Sequence, residues 1–294
     1  MSDNAPQFVD PFAGMDTPGQ DTTALQSLMH YAMPGRGKTT VLGSMVKVPG
    51  FEQGLIIDVD NGTRVLRNDP AIKLALDEGR LRILKVDKTK PAEAVAKIDY
   101  IIDQVTSQDL GYRFVGLDTL SYAQDAIEVV ADAQFATSGK GGTRDGFAVW
   151  NMVGAKTVEW VAKLHNCPWL LGVINVHAKE QTTDQGQYRI LPELGGSTKN
   201  KIGGDPDLVA YLDWMTGVDP ANPDVPHLCA YLGKSPVYIA KNRDMLPDLI
   251  VDYDMPTLFR MLEQKDAYVD AAAQDAAVQA ALTTPTAAPT PVAA

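Results

Sequence analysis

The stretch that decides the fold is SLMHYAMPGRGKTTVLGSMV, residues 27–46. Residues 28–33 form an apolar segment of strand length, a turn rich in Gly and Pro follows, and an apolar helical pattern begins at Lys38. A phosphate-binding loop requires this order, because Gly35 and Gly37 let backbone N–H groups converge on phosphate oxygens at the start of a helix. The plainer alternative is a Gly-rich turn before a helix, and it leaves the GKT triplet unexplained.

Within this loop each residue has an expected task. Lys38 would contact the β- and γ-phosphates, and the Thr39 hydroxyl would bind Mg²⁺. Ala32 replaces the first glycine of the usual pattern. The sequence K-N-R-D at 241–244 differs from the guanine-reading N-K-x-D, so the expected cofactors are ATP and Mg²⁺. The predicted nucleotide-binding residues are Pro34, Gly35, Arg36, Gly37, Lys38, Thr39 and Thr40.

The segment FVGLD, residues 114–118, supports the loop. It is an apolar strand that ends in an acid, and Asp118 follows Lys38 by eighty positions. This is the Walker-B arrangement, in which the acid helps to hold Mg²⁺ through the water shell of the ion. The pattern is weak alone, because many strands end in Asp, and it becomes specific beside a P-loop. Thr39 and Asp118 are therefore the predicted metal residues.

A third motif, IIDVDNG at 56–62, carries two carboxylates. Asp58 and Asp60 stand two positions apart, so they share one face while the strand lasts. The strand end nearest the phosphates is where a water-activating carboxylate must stand. Asp60 is the candidate and Asp58 the reserve, although an Asp-Asn-Gly turn accounts for Asp60 equally well.

The pattern along the chain predicts an α/β fold. Predicted strands at 28–33, 55–59, 81–86, 114–117 and 169–176 are separated by predicted helices at 38–46, 63–78, 92–105, 122–135 and 147–164. Strands and helices that alternate in this way indicate βαβ units, and therefore a mainly parallel sheet with helices on both faces. After residue 205 the predicted strands are closely spaced, at 208–216, 227–232, 237–240 and 249–251, which indicates an antiparallel C-terminal extension.

Composition predicts one folded domain between two tails. Residues 1–24 form an acidic segment without a sustained period, residues 25–265 hold the domain, and residues 266–294 are rich in Ala, Thr and Pro. Both tails bury too little apolar surface to order themselves. The net charge of −11 excludes a globally basic DNA-coating protein. Seven of these excess negative charges lie in residues 1–30 and 266–294, which leaves about −4 on the body and keeps a local basic groove open.

Cysteine use and hydropathy predict a cytoplasmic protein. The two cysteines, Cys167 and Cys229, have no metal-ligand spacing, and we expect both to be reduced and buried. No run of about eighteen apolar residues exists, so we expect no membrane span.

Taken in order, these motifs resemble the RecA-like P-loop ATPases, and more closely the short phage and bacterial RecA-fold ATPases associated with single-strand annealing. The resemblance covers roughly residues 27–253 and rests on the P-loop, IIDVDNG, FVGLD, VINVH at 173–177, a Gly-Gly loop and VYIAKNR at 237–243. It implies an ATPase stimulated by DNA, with a role in recombination, annealing or repair.

The same resemblance assigns catalytic tasks. It places the catalytic carboxylate, a glutamate in the family, on Asp60, whose side chain is one methylene shorter. Asn175 matches a polar strand-end sensor of the γ-phosphate. Lys241 and Arg243 match basic residues that reach the γ-phosphate of a neighbouring subunit. With Lys38 and Asp118 these complete the predicted catalytic set. His177 stands beside the sensor, and a solvated strand-end histidine accounts for it equally well.

The resemblance also implies partners. It places DNA-binding loops at 136–146 and 178–205, with basic residues for phosphate contacts and Tyr188 for base stacking. The second loop has no net charge. The expected partners are single-stranded DNA, further copies of the chain in a ring or filament, and a single-strand binding protein. A phage origin would place the protein in the host cytoplasm. The predicted DNA-binding residues are Lys140, Arg144, Lys179, Tyr188, Arg189, Lys199 and Lys201.

Other classes compete with this interpretation. An AAA+ ATPase would need a helical lid after the core, whereas residues 206–265 are predicted mainly as strands. A small-molecule kinase would need an acceptor site, for which the sequence has no signature. A nucleotide-binding scaffold, or a regulatory P-loop ATPase that binds no DNA, remains the alternative because Asp60 replaces glutamate. ATP turnover with and without single-stranded DNA separates these classes.

Overall fold

In the computed structural model, residues 25–196, 198, 202 and 204–264 are described. The predicted tails, 1–24 and 266–294, lie outside the described residues, as do Lys199 and Lys201. Within the described part of the chain, no helix combines the length and the apolar character that crossing a membrane requires.

A mainly parallel sheet forms the centre of the fold. Its strand order is β10-β8-β7-β1-β5-β4-β2-β3. The strands from β7 to β3 are parallel to one another, β8 pairs antiparallel with β7, and β10 pairs antiparallel with β8. β6 pairs with β5, and β9 pairs with β7. The strands are β1 Ser27–Ala32, β2 Gly54–Asp58, β3 Leu81–Lys85, β4 Phe114–Asp118, β5 Leu171–Thr182, β6 Tyr188–Pro192, β7 Leu208–Met215, β8 His227–Tyr231, β9 Lys241–Asn242 and β10 Leu249–Val251.

Helices cover both faces of this sheet. The helices are α1 Lys38–Gly43, α2 Pro70–Asp77, α3 Pro91–Ser107, α4 Leu120–Gln134, α5 Gly146–His165 and α6 Met255–Glu263, with 3-10 helices at Ser44–Lys47 and Gly62–Asn68. One core cluster holds buried side chains of α3, α4 and α5. The other core cluster holds those of α1, α2 and α6. Central strands such as β1, β2 and β4 are buried along their whole length, as expected of a sheet packed on both sides. The predicted α/β architecture is confirmed.

The helix predicted at 63–78 is divided in two. A 3-10 helix ends at Asn68, and α2 begins at Pro70. The Asp69 carboxylate accepts hydrogen bonds from the backbone N–H groups of Ala71 and Ile72 and so caps α2. Proline lacks the N–H that a continuous helix would need and suits a first turn, which explains the break.

The C-terminal region differs from the prediction in two places. The strand predicted at 237–240 is wrong, because only Tyr238 bridges to Ile190 there and the paired residues are Lys241–Asn242. Helix α6 was not predicted, although Asp254 caps it through the N–H of Thr257. The antiparallel extension is confirmed, and residues 204–264 contain no helical lid of the kind an AAA+ protein would need.

The loop predicted at 178–205 begins as a β-hairpin. β5 continues from the sheet through Thr182 and pairs antiparallel with β6, from Ala178 opposite Pro192 to Thr182 opposite Tyr188. Gly186 has a φ of +77° in the turn between them, a conformation that glycine adopts without steric cost. The strand predicted at 169–176 stops short of Thr182 because the apolar run ends at Val176. The hairpin residues that follow are largely polar.

The fold brings three polar side chains to the same level of the sheet. Asp58 on β2 is opposite Asp118 on β4, which is opposite Asn175 on β5. These strands run parallel and reach one edge with their carboxyl ends, next to the loop that follows β1. Ligands of open α/β sheets bind at this edge, so the candidate site lies here.

Candidate nucleotide-binding site

The loop between β1 and α1 encloses a pocket of about 280 Å³. Gly35 and Gly37 have φ values of +76° and +88°, which a side chain would strain. All seven predicted loop residues line the pocket together with Asp60, Gly62, Val65, Asp118 and His177. The conformation therefore depends on the two glycines that the sequence singled out.

Lys38 is nearly buried at the base of this pocket, with 6% of its surface exposed. Its ammonium donates hydrogen bonds to the carbonyl oxygens of Ala32 and Met33, at 2.8 and 3.3 Å. Burial lowers the pKa of Lys38 to about 8, although the charges of Asp118 and Asp60 act in the opposite direction. Bound phosphate oxygens would compete for this ammonium with two neutral carbonyls.

Asp118 is fully buried and joins two strands to the loop. Its Oδ2 accepts a hydrogen bond from the Thr39 hydroxyl at 2.7 Å, and its Oδ1 accepts one from the Asn175 amide at 3.1 Å. Burial raises the pKa of Asp118, and the nearby Asp58 carboxylate adds to this effect. The structure thus brings together Lys38, Thr39, Asp118 and Asn175 as the sequence predicted.

The oxygen atoms at this point fit a Mg²⁺ ion. The Thr39 hydroxyl and the Asp118 carboxylate are hard oxygen donors beside the phosphate loop, and magnesium is held by few protein ligands plus phosphates and waters. Gly62 keeps the space open, since a Cβ there would lie 3.3 Å from Thr39 Oγ1 and 4.0 Å from oxygens of Asp118 and Asp60. Among the described residues, no group of three His, Cys, Asp or Glu side chains could hold a metal by itself.

Asp58 and Asp60 have opposite environments. Asp58 is fully buried, accepts a hydrogen bond from the Thr63 hydroxyl at 2.6 Å, and does not line the pocket. Asp60 lines the pocket with 29% of its side chain exposed. Asp60 is therefore the carboxylate that a bound nucleotide would meet.

Around Asp60 stand residues for which the sequence motifs predict no role in the site. The Lys88 ammonium lies 3.7 Å from Asp60 Oδ1 and 3.4 Å from the centre of the Tyr122 ring. His177 Nε2 lies 3.6 Å from Asp60 Oδ2. Lys88 follows β3, the strand next to β2, so its place at the shared strand edge was the available signal. Tyr122 lies in a predicted helix, and nothing in the sequence distinguishes it from the other residues of that helix.

Lys241 and Arg243 lie far from this pocket in their own chain. β9 pairs with the first residues of β7, so both side chains stand at the opposite edge of the sheet from the phosphate loop. Lys241 donates to the carbonyl of Gly204, and Arg243 donates to Asp207 Oδ1 at 2.8 Å. The six-residue strand β1 separates the two edges by about 20 Å.

The hairpin separates its three predicted DNA-binding residues. Lys179 and Arg189 point to one face, and Tyr188 points to the other, where Glu180 accepts its hydroxyl hydrogen bond. Tyr188 and Arg189 are exposed. Lys179 lines a second pocket, of about 210 Å³, beside the acidic side chains of Asp125, Glu128 and Glu193. That pocket is unsuited to a phosphodiester, so the exposed tip of the hairpin offers the better contact surface.

The loop between α4 and α5 also divides its predicted residues. Lys140 is exposed near the middle of the loop. Arg144 is engaged with Asp132 at 2.5 Å and with Glu128 at 3.9 Å, which fixes it against α4. Lys140 is thus the more accessible of the two cations. Both cysteines of the chain are buried and unpaired, as expected.

One family model and several solved structures match this chain. The profile of a family described as "AAA domain" matches residues 25–244. One similar solved structure is a prototypical ATPase from the type III secretion system of pathogenic bacteria, at 16% identity and a TM-score of 0.40, over 64% of this chain and 52% of that one. Another is the RadB recombinase, at 10% identity and a TM-score of 0.43, over 71% of this chain and 80% of that one. The chain spans about half the length of the secretion ATPase. Curated proteins gave no match.

Proposed function

The chain belongs to the AAA domain family, but its residues 204–264 contain no helical lid, and from these two premises we propose that it is a RecA-like ATPase that converts ATP and water to ADP and phosphate. The observation that carries the proposal is the hydrogen bond from the Thr39 hydroxyl to Asp118 Oδ2, beside the buried Lys38. It joins the phosphate loop to the acid of the neighbouring strand, which is the pairing that Mg²⁺-dependent phosphoryl transfer requires.

The side chains of the pocket divide the work of hydrolysis. Lys38 binds the β- and γ-phosphates, and Asn175 senses the γ-phosphate from within β5 through its hydrogen bond to Asp118. Mg²⁺, held by the Thr39 hydroxyl and through water by Asp118, would neutralise phosphate charge. Asp60 orients the attacking water, whose oxygen bonds to the γ-phosphorus as the bond to the ADP oxygen breaks.

We further propose that the protein binds single-stranded DNA and acts in recombination, annealing or repair. The resemblance to the phage-type annealing ATPases supports this, as do the exposed cations Lys140 and Arg189 and the exposed ring of Tyr188. Lys199 and Lys201 belong to the same proposal from sequence. The proposal also includes assembly into a ring or filament and a single-strand binding protein as partner. It further includes ATP turnover that DNA stimulates and a cytoplasmic location.

The test is ATP turnover by the wild type and by Lys38→Ala, each with and without single-stranded DNA. Lys73→Ala is the matched control, since Lys73 pairs with Asp77 on the surface of α2. We expect Lys38→Ala to lose nucleotide binding or turnover, and Lys73→Ala to keep both. Turnover and affinity that are unchanged in a natively folded Lys38→Ala protein would contradict the proposal.

The second candidate function is a nucleotide-binding scaffold or a regulatory ATPase without DNA binding. The observation that favours it is the presence of aspartate at position 60, where the resembling family has glutamate. Nucleotide binding without turnover would favour the scaffold. Turnover that does not respond to DNA, together with no DNA binding at low salt, would favour the regulatory ATPase.

A further inference from the structure

The imidazole of His177 spans the gap between the phosphate-binding lysine and the candidate carboxylate. Its Nδ1 lies 3.4 Å from the Lys38 ammonium, and its Nε2 lies 3.6 Å from Asp60 Oδ2. The ring lines the nucleotide pocket. Side chains from the start of α1, from the turn after β2 and from within β5 therefore form a continuous polar row along one wall of the site.

The backbone of His177 is fixed from two sides. Its N–H donates to the Ser121 hydroxyl at 2.9 Å, and its carbonyl accepts from the N–H of Glu193 at 2.7 Å. The ring makes a T-shaped contact with the Tyr122 ring at a centroid distance of 5.1 Å. With 5% of its surface exposed and β5 continuing to Thr182, His177 is not a solvated strand-end histidine.

The two ring nitrogens have different tasks. The ammonium of Lys38 has only hydrogens to offer, so Nδ1 must accept, and in the neutral ring the proton then sits on Nε2. Nε2 is buried and has no hydrogen-bond partner among the described residues. The acceptor in its reach is Asp60 Oδ2, and catalytic hydrogen bonds are often long until substrate is bound.

We propose that Asp60 and His177 act as one catalytic unit, in which Asp60 holds the ring through Nε2–H and Nδ1 accepts the proton of the attacking water. This rests on the proposed ATPase function and deepens it. Phosphate oxygens that take the Lys38 ammonium leave the lone pair of Nδ1 free. The water oxygen then bonds to the γ-phosphorus, its proton passes to Nδ1, and the electron pair of the broken bond stays on ADP. The proton leaves His177 with the phosphate product.

The surroundings suit a neutral base. Burial, followed by the charge of Lys38, lowers the pKa of His177, so the ring is neutral at physiological pH. Lys88 holds the other oxygen of Asp60 and is itself held over Tyr122. An aspartate, one methylene shorter than glutamate, thus reaches the water through the ring. The charged and titratable groups around the unit are Lys38, Asp60, Lys88, Asp118, Tyr122 and Glu193.

The test compares His177→Gln with His165→Gln. His165 bonds the Ser27 hydroxyl at the opposite edge of the sheet and is the matched control. For His177→Gln we expect affinity for a non-hydrolysable ATP analogue within about twofold of wild type and turnover lower by about a hundredfold or more. His165→Gln should keep both. In a double-mutant cycle, adding Asp60→Asn to His177→Gln should cost little more, because residues of one unit are not additive.

A pH profile supplies the readout that a structural role would not change. Since the neutral ring is the base, wild-type turnover should fall as the pH falls through the lowered pKa of His177, and the residual turnover of His177→Gln should lack this acidic limb. Turnover of His177→Gln within about threefold of wild type, or an unchanged acidic limb, would overturn the proposal. A wild type without turnover would instead overturn the ATPase function itself.

Discussion

At the scale of single residues, burial distinguishes the two carboxylates that the sequence offers as candidates for the water-activating role. Asp58 and Asp60 are two positions apart, yet the strand ends at Asp58 and the chain turns through Asn61, whose φ is +60°. Asp58 stays in the core with Thr63, and Asp60 enters the pocket. The structure therefore favours Asp60 for the reaction and Asp58 for stability.

The paired substitutions Asp60→Asn and Asp58→Asn test this division. Asp60→Asn should cut ATP turnover by about a hundredfold or more while the analogue still binds, because the amide cannot accept as the carboxylate does. Asp58→Asn should lower the free energy of unfolding by about 1–3 kcal/mol, since it disturbs a buried hydrogen bond. Turnover and denaturant unfolding of both variants provide the measurement. If Asp60→Asn hydrolysed ATP normally and a stably folded Asp58→Asn protein did not, Asp58 would be the catalytic carboxylate.

The pKa of Lys38 predicts how nucleotide affinity changes with pH. The charged lysine binds phosphate, and its pKa of about 8 without nucleotide lies below that of a free lysine. Bound phosphate raises it again, so affinity is greatest below pH 8 and should fall as pH rises, by up to about tenfold per pH unit. Calorimetric titration from about pH 7.5 to about pH 9.5 measures this. Lys38→Arg, which stays charged, should lose this dependence, and an equal slope in both proteins would refute the assignment.

At the scale of elements, strands that are apolar on both faces were the most predictable part of the sequence. β1, β2 and β4 differ from their predicted ranges by at most one residue at either end. The β5–β6 hairpin was missed because its strands leave the core at Ala178, so no apolar period marks them. The contact between Lys88 and Tyr122 was missed for a related reason, since it joins the loop after β3 to the first turn of α4 and leaves no pattern within either segment.

The hairpin predicts which variants weaken DNA binding. Arg189→Ala and Tyr188→Ala should each weaken binding of single-stranded DNA, because Arg189 offers a phosphate contact and Tyr188 an exposed ring. Arg144→Ala is the contrasting variant and should do less, since Arg144 is paired with Asp132. Fluorescence anisotropy over a salt series is the measurement, and loss of one phosphate contact should reduce the logarithmic salt slope by about 0.7. If Arg144→Ala bound single-stranded DNA more weakly than Arg189→Ala, the phosphate contact would belong to the loop between α4 and α5.

At the scale of the whole molecule, the distance between the phosphate loop and the Lys241–Arg243 segment decides what one subunit can do alone. The two stand at opposite edges of the sheet, so neither cation can reach the phosphates of its own chain. A catalytic role for them requires a neighbour. The domain limits 25–265 remain a prediction from sequence.

Mixing two inactive variants tests this arrangement. Lys241→Ala/Arg243→Ala should bind ATP normally and hydrolyse it slowly, because a cation supplied in trans acts mainly on the transition state. Lys38→Ala lacks its own nucleotide site and keeps both cations. Turnover should recover in part when the two are mixed, and wild-type specific activity should rise with protein concentration. If the two variants co-assembled and ATP turnover did not recover, Lys241 and Arg243 would stabilise only the local fold, where Arg243 pairs with Asp207.

The central place of β1 in the sheet bears on how the protein is made. β1 carries the phosphate loop, yet its two neighbours, β5 and β7, begin at Leu171 and Leu208. Contacts so distant along the chain give a high contact order, which slows folding. Ser27 pairs with Gly172, so during synthesis β1 has no neighbouring strand until the chain beyond residue 171 has been made. Ribosome-bound chains halted before residue 171 should therefore not bind nucleotide.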